Sequence, residues 1–290
     1  MSKSCTNSDI RTLESIDEFL AKGKPKLTAT CIGEKIDVPA NYSLDGLNIK
    51  GNIPLEKIIL AVRRFRNGTK RPDVDRPRLN ILLSGGPGCG KTAFVRYLAS
   101  SVGARLVTIT ASEILSKWIG ETEQNIRKAF QEAREKNAIL FLDEIDSFLH
   151  TRENADHSWE VSSVNELLQQ MEGFQGVMIG ATNFQNNLDK AVMRRFTFKL
   201  TLDYLTSDGK RIFFQRYFKS PLSVAEEERL DKIDNLAPGD FRTVKEELFY
   251  TCDNETNDER LAALEAESAA RTEEKCHNYS GTGIGFAIKG

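Results

Sequence analysis

One stretch restricts this chain more than any other. Gly85-Gly86-Pro87-Gly88-Cys89-Gly90-Lys91-Thr92 fits the pattern G-x-x-x-x-G-K-[ST]. The apolar run Ile81-Leu82-Leu83-Ser84 precedes it and reads as a buried strand. Ala93 to Ala99 follows and reads as a helix. Glycines at such a junction let successive backbone N–H groups turn inward and form an anion nest. The helix N-terminus adds its positive end. Lys91 can then reach β- and γ-phosphates, and the Thr92 hydroxyl can ligate Mg²⁺. A chance glycine-rich turn would not carry a strand and a helix on the correct sides.

Composition narrows the setting. A chain of 290 residues suggests one large or two modest domains. Apolar residues make up 40%, enough for a core, and charged residues 28%, which suits a soluble protein. A formal net charge of −2 gives no global field favouring nucleic acid or anionic membrane. No apolar run reaches the length of a membrane span, and Met1 to Cys5 lacks the apolar core of a signal peptide. The five cysteines are scattered, and the three histidines make no H-E-x-x-H, so neither a metal cage nor a zinc protease is expected. A reducing, cytoplasmic setting is the simple expectation.

Along the chain, residues 1–40 read as an arm. Ile10, Leu13, Ile16, Phe19 and Leu20 give it one amphipathic helix, and a linker with a possible short strand follows from Gly23 to Pro39. The helix either packs on the main body or docks a partner. Tyr42 to Leu47 reads as a turn, and a helix is expected from Pro54 to Phe65. Arg63 to Arg78 is basic, which fits a solvated face first and an acidic or nucleic-acid partner second. Four further β-branched-rich runs follow the first strand: 105–110, 138–142, 176–181 and 196–202, with helical patterns between them. Alternation of that kind implies parallel strands with right-handed crossovers, and uniformly apolar strands imply helices on both faces. Residues 41–203 are therefore expected to form a three-layer αβα domain on a parallel five-stranded sheet. Residues 204–290 are expected to form a small helical domain, with helices near 210–218, 225–230, 241–250 and 259–270.

The run Ala138 to Leu142 ends in Asp143-Glu144-Ile145-Asp146. Ligands of open parallel sheets bind at the carboxyl ends of strands, and this strand is expected to flank the phosphate loop. Asp143 can hold Mg²⁺ through water. Glu144 can polarise a water for in-line attack, a general-base role contributing about 10²–10⁴ in rate. A polar strand end capping the next helix is the bland alternative.

At this point the chain resembles the AAA ATPases, in particular the protein-remodelling, katanin- and spastin-like single-ring members. Gly86 to Thr92 and Leu142 to Asp146 look like their Walker A and Walker B motifs. Gly180-Ala181-Thr182-Asn183 and Leu188 to Phe196 look like their second region of homology. The likeness covers roughly residues 42–250 and implies ATP and Mg²⁺ as cofactors. It implies that Gly85, Gly86, Pro87, Gly88, Cys89, Gly90, Lys91, Thr92 and Ala93 hold phosphate. It implies that Asp45 and Gly46 approach adenine through backbone, and that Thr92 and Asp143 hold the metal. Glu144, Asn183, Lys91 and the arginine fingers Arg194 and Arg195 would be catalytic, the fingers serving a neighbouring subunit. Gly239 matches the sensor 2 position, and Arg242 follows it as in branches that use an arginine there.

Lys117-Trp118-Ile119 resembles the pore loop of the remodelling members. A tryptophan is more often core than tool, but the surrounding Ser116 to Glu123 fits the loop pattern. His150 to Glu160 would form a second pore-facing loop, although Val161-Ser162-Ser163 stands where many relatives carry basic residues. Cys89 replaces a common threonine. Only its backbone N–H need contact phosphate, which leaves the side chain passive; an empty phosphate nest would nevertheless favour its thiolate, which makes the loop a candidate for thiol sensitivity.

The expectation is a Mg²⁺-dependent ATPase in a homo-oligomeric, hexameric ring that draws a protein substrate through a central pore. A nucleic-acid motor is the first rival, favoured by the basic stretch and opposed by the near-neutral charge. A non-catalytic scaffold and a protease-serving subunit are further rivals.

Overall fold

The computed structural model describes residues 43–68, 78–114, 121–149, 158–183, 190–252 and 255–279. The arm and linker at 1–42 lie outside these residues. So do Lys117, Trp118 and Ile119, most of the second pore-facing loop, residues 69–77 of the basic stretch, Leu188 and Asp189, and the tail from residue 280.

The elements run in chain order as β1 (Asn48–Gly51), α1 (Leu55–Asn67), β2 (Leu79–Ser84), α2 (Lys91–Ser101), β3 (Arg105–Thr110), α3 (Ala111–Ile114), α4 (Glu121–Glu135) and β4 (Ala138–Asp143). Then come α5 (Asp146–Leu149), α6 (Ser158–Gly173), β5 (Val177–Thr182), α7 (Lys190–Met193) and β6 (Phe198–Asp203). Four helices follow: α8 (Ser207–Phe218), α9 (Val224–Lys232), α10 (Pro238–Thr251) and α11 (Asn257–Tyr279).

The strands form one sheet in the order β1-β6-β2-β5-β4-β3. All five expected strands are present and mutually parallel. A sixth, β1, pairs antiparallel with β6 at the sheet edge. Its four residues, Asn48 to Gly51, alternate too briefly to announce a strand, and pairing with β6 is what extends them.

Side chains alternate across the sheet with period two. Ile81, Leu83, Ile139 and Phe141 face a core closed by Ile58 and Val62 of α1 and by Phe94, Val95 and Leu98 of α2. Leu82, Leu140 and Leu142 face the opposite core, closed by Ile126 and Phe130 of α4 and Val164, Leu168 and Met171 of α6. Central strands buried on both faces account for the unbroken apolar runs. A third core belongs to the helices after β6: Phe213, Phe214, Phe218, Leu230, Phe241, Val244, Leu248, Leu261 and Leu264. Ser223 and Glu226 start α9 with a reciprocal capping box.

The order of strands corrects one expectation. β4, which ends in Asp143, is not beside β2. β5 lies between them and hydrogen-bonds to both. Parallel crossovers are long enough to skip a neighbour, so chain order does not fix strand order. Part of the basic stretch also has work inside its own chain. Arg63 donates to the Ser101 carbonyl at 3.3 Å and Arg66 to the Asn137 carbonyl at 3.0 Å. No helix among the described residues is long and apolar enough to cross a membrane.

Candidate active site

The phosphate loop leaves the carboxyl end of β2 between β5 and β6. Gly85 has φ +151°, and a side-chain carbon there would stand inside the contact shell of the Leu202 carbonyl oxygen on β6. No side chain fits, so the residue is glycine for packing as well as for backbone freedom. Gly90, at φ 90°, caps α2 in the left-handed region and delivers Lys91 and Thr92 to its first turn.

The register of β2 with β5 pairs Ser84 with Thr182. Asn183 is therefore carried to the level of Gly85. Lys91 Nζ donates to Asn183 Oδ1 at 2.6 Å and to the carbonyls of Gly85 and Gly86 at 2.8 and 3.0 Å. Burial holds the Lys91 ammonium below the ordinary lysine value, against the opposing pull of Cys89, Asp143 and Asp146. Thr92 Oγ1 donates to Asp143 Oδ2 at 3.0 Å. A hydroxyl and a carboxylate at that spacing are hard oxygen donors suited to Mg²⁺, which takes its other ligands from phosphate and water. The residues present thus fit both a phosphate chain and the cation that accompanies it.

Glu144 follows at the end of β4 with φ 54°, in the left-handed region that side chains other than glycine and asparagine avoid. The turn is held by Glu144 N–H donating to Asp143 Oδ1 at 3.1 Å and by Ile145 N–H donating to the Ala181 carbonyl at 2.8 Å. It leaves the Glu144 carboxylate exposed while its neighbours Ile145 and Asp146 are buried. An exposed carboxylate one residue past Asp143, at the carboxyl end of the same strand, is free to accept a proton from a water at the loop.

Asp45 and Gly46 sit where the helical part meets the sheet. Arg216 of α8 donates to the Asp45 carbonyl at 2.9 Å, and the Gly46 carbonyl packs so closely on Gly209 that no side chain fits there. Burial first, and the Asp45 charge second, push up the phenol of Tyr97 on α2. The segment is therefore held between the phosphate-loop helix and α8. Gly239 is close to the loop as well, since its N–H donates to the Gly88 carbonyl at 3.0 Å. Arg242 is not brought there. Its side chain is 69% exposed, and its partner is Glu246 one turn along α10, at 3.9 Å.

Arg194 and Arg195 lie at the other end of the sheet. Asn80, at the start of β2, donates to the Arg195 carbonyl at 3.0 Å. The span of β2 from Asn80 to the loop separates them from Lys91 by roughly 15 Å. Arg194 is exposed, and Arg195 pairs with Glu172 of α6 at 2.7 Å. Cys89 is 1% exposed and packs into the core beside α2. Burial pushes its thiol up, partly offset by Lys91 and Arg271. That corrects the expectation of thiol sensitivity, because the loop turns the side chain away from the nest that would have favoured thiolate.

Four residues with no role in the sequence reading belong to this region. Asp146 is 6% exposed and acts electrostatically on Lys91. Tyr204 approaches Gly86, where an added side-chain carbon would lie 2.9 Å from its hydroxyl. Asp240 stands next to Gly88, and Arg271 pairs with Asp240. Asp146 could have been suspected from the acidic run. Asp240 lay beside Gly239 at the sensor 2 position without a role of its own, and Tyr204 and Arg271 had no signal, because nothing local says that residues 204 and 271 meet residues 86–88.

A mostly parallel sheet with this anion loop, and an acidic pair one strand beyond its neighbour, has the architecture of a P-loop nucleotide-binding domain. Residues 81–204 match the family described as ATPase family associated with various cellular activities (AAA). That match spans less than half of the chain, so it is this domain that is similar to the family. The chain is 36% identical over 177 residues to "Protein SAV" of Sulfolobus acidocaldarius, covering 59% of this chain and 22% of that protein. It is 33% identical over 199 residues to "Cell division protein C" of the same organism, covering 63% of this chain and 47% of that protein. It is also 33% identical over 181 residues to "Fidgetin-like protein 1" of Caenorhabditis briggsae, covering 59% and 31%. The matched region is thus less than half of each of these relatives.

Proposed function

We propose that the protein is a Mg²⁺-dependent ATPase that works as a ring of identical subunits, hexameric by family likeness, and remodels a protein substrate. Lys91 and the loop amides bind the phosphates. Bound Mg²⁺ would supply charge neutralisation on the phosphoryl oxygens, with Thr92 and Asp143 as its protein ligands. Glu144 takes the proton of the attacking water, and Asn183, fixed by Lys91, orients that water. Asp45, Gly46 and Gly239 join the helical part to the nucleotide, so that it can move as a lid when the nucleotide changes.

The observation that carries the ring is the position of Arg194. It stands at the end of the sheet opposite its own phosphate loop, so a head-to-tail neighbour is the geometry in which its charge can meet a γ-phosphate. Trp118 would grip the substrate as a broad, rigid surface tolerant of sequence. Relatives named for cell division and as fidgetin-like are compatible with work on a protein substrate.

The test is Glu144→Gln. It should bind ATP as the wild type does and lose turnover by about 10²–10⁴. Near-normal hydrolysis would remove Glu144 from the role of base. The same variant, loaded with ATP, should retain substrate for identification.

A further inference from the structure

Arg271, far along α11, is a cation of the helical part whose partners adjoin the phosphate loop. It donates to Asp240 through both terminal nitrogens, Nη1 at 2.8 Å to Oδ2 and Nη2 to Oδ1. Its Nη1 also reaches the Asn235 carbonyl at 2.6 Å, and its guanidinium lies over the Tyr204 ring at 5.5 Å. Both partners are shielded, with Arg271 15% and Asp240 4% exposed. Asp240 also accepts from Ala237 N–H at 2.7 Å, in the turn that begins α10.

This cluster leans on the loop. Gly239 donates to the Gly88 carbonyl, and a side-chain carbon placed on Gly88 would lie 3.9 Å from Asp240 Oδ1. Tyr204, under the guanidinium, is the residue that approaches Gly86. The charges of Arg271 and Asp240 both reach Cys89, the residue after Gly88. A buried carboxylate beside a phosphate-binding loop would repel a polyphosphate unless a cation offsets it. The bidentate guanidinium is that offset, and it is delivered by α11, the last helix described.

We infer that Arg271 is a positioning residue that neutralises Asp240 and thereby sets the charge the phosphate loop presents to a nucleoside triphosphate. The position of α11 and the affinity for triphosphate are then coupled. A shift of α11 that withdraws Arg271 exposes Asp240 to the phosphates and weakens their hold. This rests on ATP being the ligand of the loop.

The experiment is calorimetric titration of the full chain with Mg-ATP, and with adenosine as an uncharged competitor. Arg271→Gln should weaken ATP about tenfold or more and leave adenosine within about twofold. Asp240→Asn keeps an acceptor for Ala237 N–H but removes the negative charge, and should bind ATP several-fold more tightly. A pair that serves only to hold the fold predicts the same sign for both changes, because each breaks the same ion pair. ATP binding that is weakened or unchanged by Asp240→Asn therefore overturns the inference. So does an Arg271→Gln chain that loses adenosine as much as ATP. If Arg271→Gln does not fold, Asp240→Asn alone decides. A wild-type chain that binds no ATP would overturn the site assignment itself. A wild-type chain that binds ATP with neither variant moving in the stated direction overturns only the role of Arg271.

Discussion

Gly85 and Glu144 show what single residues contribute here. Gly85 is held against the Leu202 carbonyl, so Gly85→Ala must move either the loop or β6. We expect it to cost about 2 kcal/mol or more in chemical denaturation, in line with strain at a special backbone position. A loss below about 0.5 kcal/mol would mean that the loop yields and that the fit against β6 is loose. Glu144 carries the opposite burden. It occupies a conformation that costs roughly 1–2 kcal/mol for a residue with a side chain, a cost that the proposed role as base would account for. Cys89 supplies the counter-example, a residue with reactive chemistry that burial makes passive.

At the level of elements, the insertion of β5 between β2 and β4 matters most. It places Asn183 between the loop lysine and the acidic pair, so that Lys91, Asn183 and Asp143 come from three neighbouring strand ends. The turn between α7 and β6 shows how two adjacent arginines can differ. Arg195 is 25% exposed and tied to Glu172, whereas Arg194 faces solvent. Arg195→Ala should lower stability by no more than about 1 kcal/mol, since the pair is partly solvated. Arg194→Ala should leave the melting temperature unchanged. Both should depress turnover, in the range of about 10³ or more for a finger that reaches the phosphate. Unchanged turnover for Arg194→Ala at high protein concentration would detach it from the reaction.

For the whole molecule, three cores divide the labour. Two flank the sheet and hold the strand ends rigid, and the third belongs to the helices beyond β6. The contacts joining that third unit to the sheet converge on the nucleotide region: Arg216 on Asp45, Gly209 on Gly46, and Gly239 on Gly88. A nucleotide bound there as proposed would touch both units, which is the condition for its chemistry to drive their relative motion. Turnover per subunit should rise with concentration as the ring assembles. Glu144→Gln and Arg194→Ala, each inactive alone, should recover part of the activity when mixed, because some interfaces then pair an intact base with an intact finger. No recovery at any ratio would argue against reaction centres shared between subunits.

Local pattern was enough for much of this. The phosphate loop, the five parallel strands and the four helices beyond Asp203 were all readable from the sequence. Period-two and period-3.6 burial, and a glycine spacing with one backbone solution, leave their marks within a dozen residues of chain. Strand order, the short β1, the solvent-facing Arg242 and the burial of Cys89 were decided only in three dimensions. The same is true of the meeting of Tyr204, Asp240 and Arg271 at the loop. Each depends on which distant segments pack together, and packing is set by the shape and burial of the assembled layers rather than by any short run of residues.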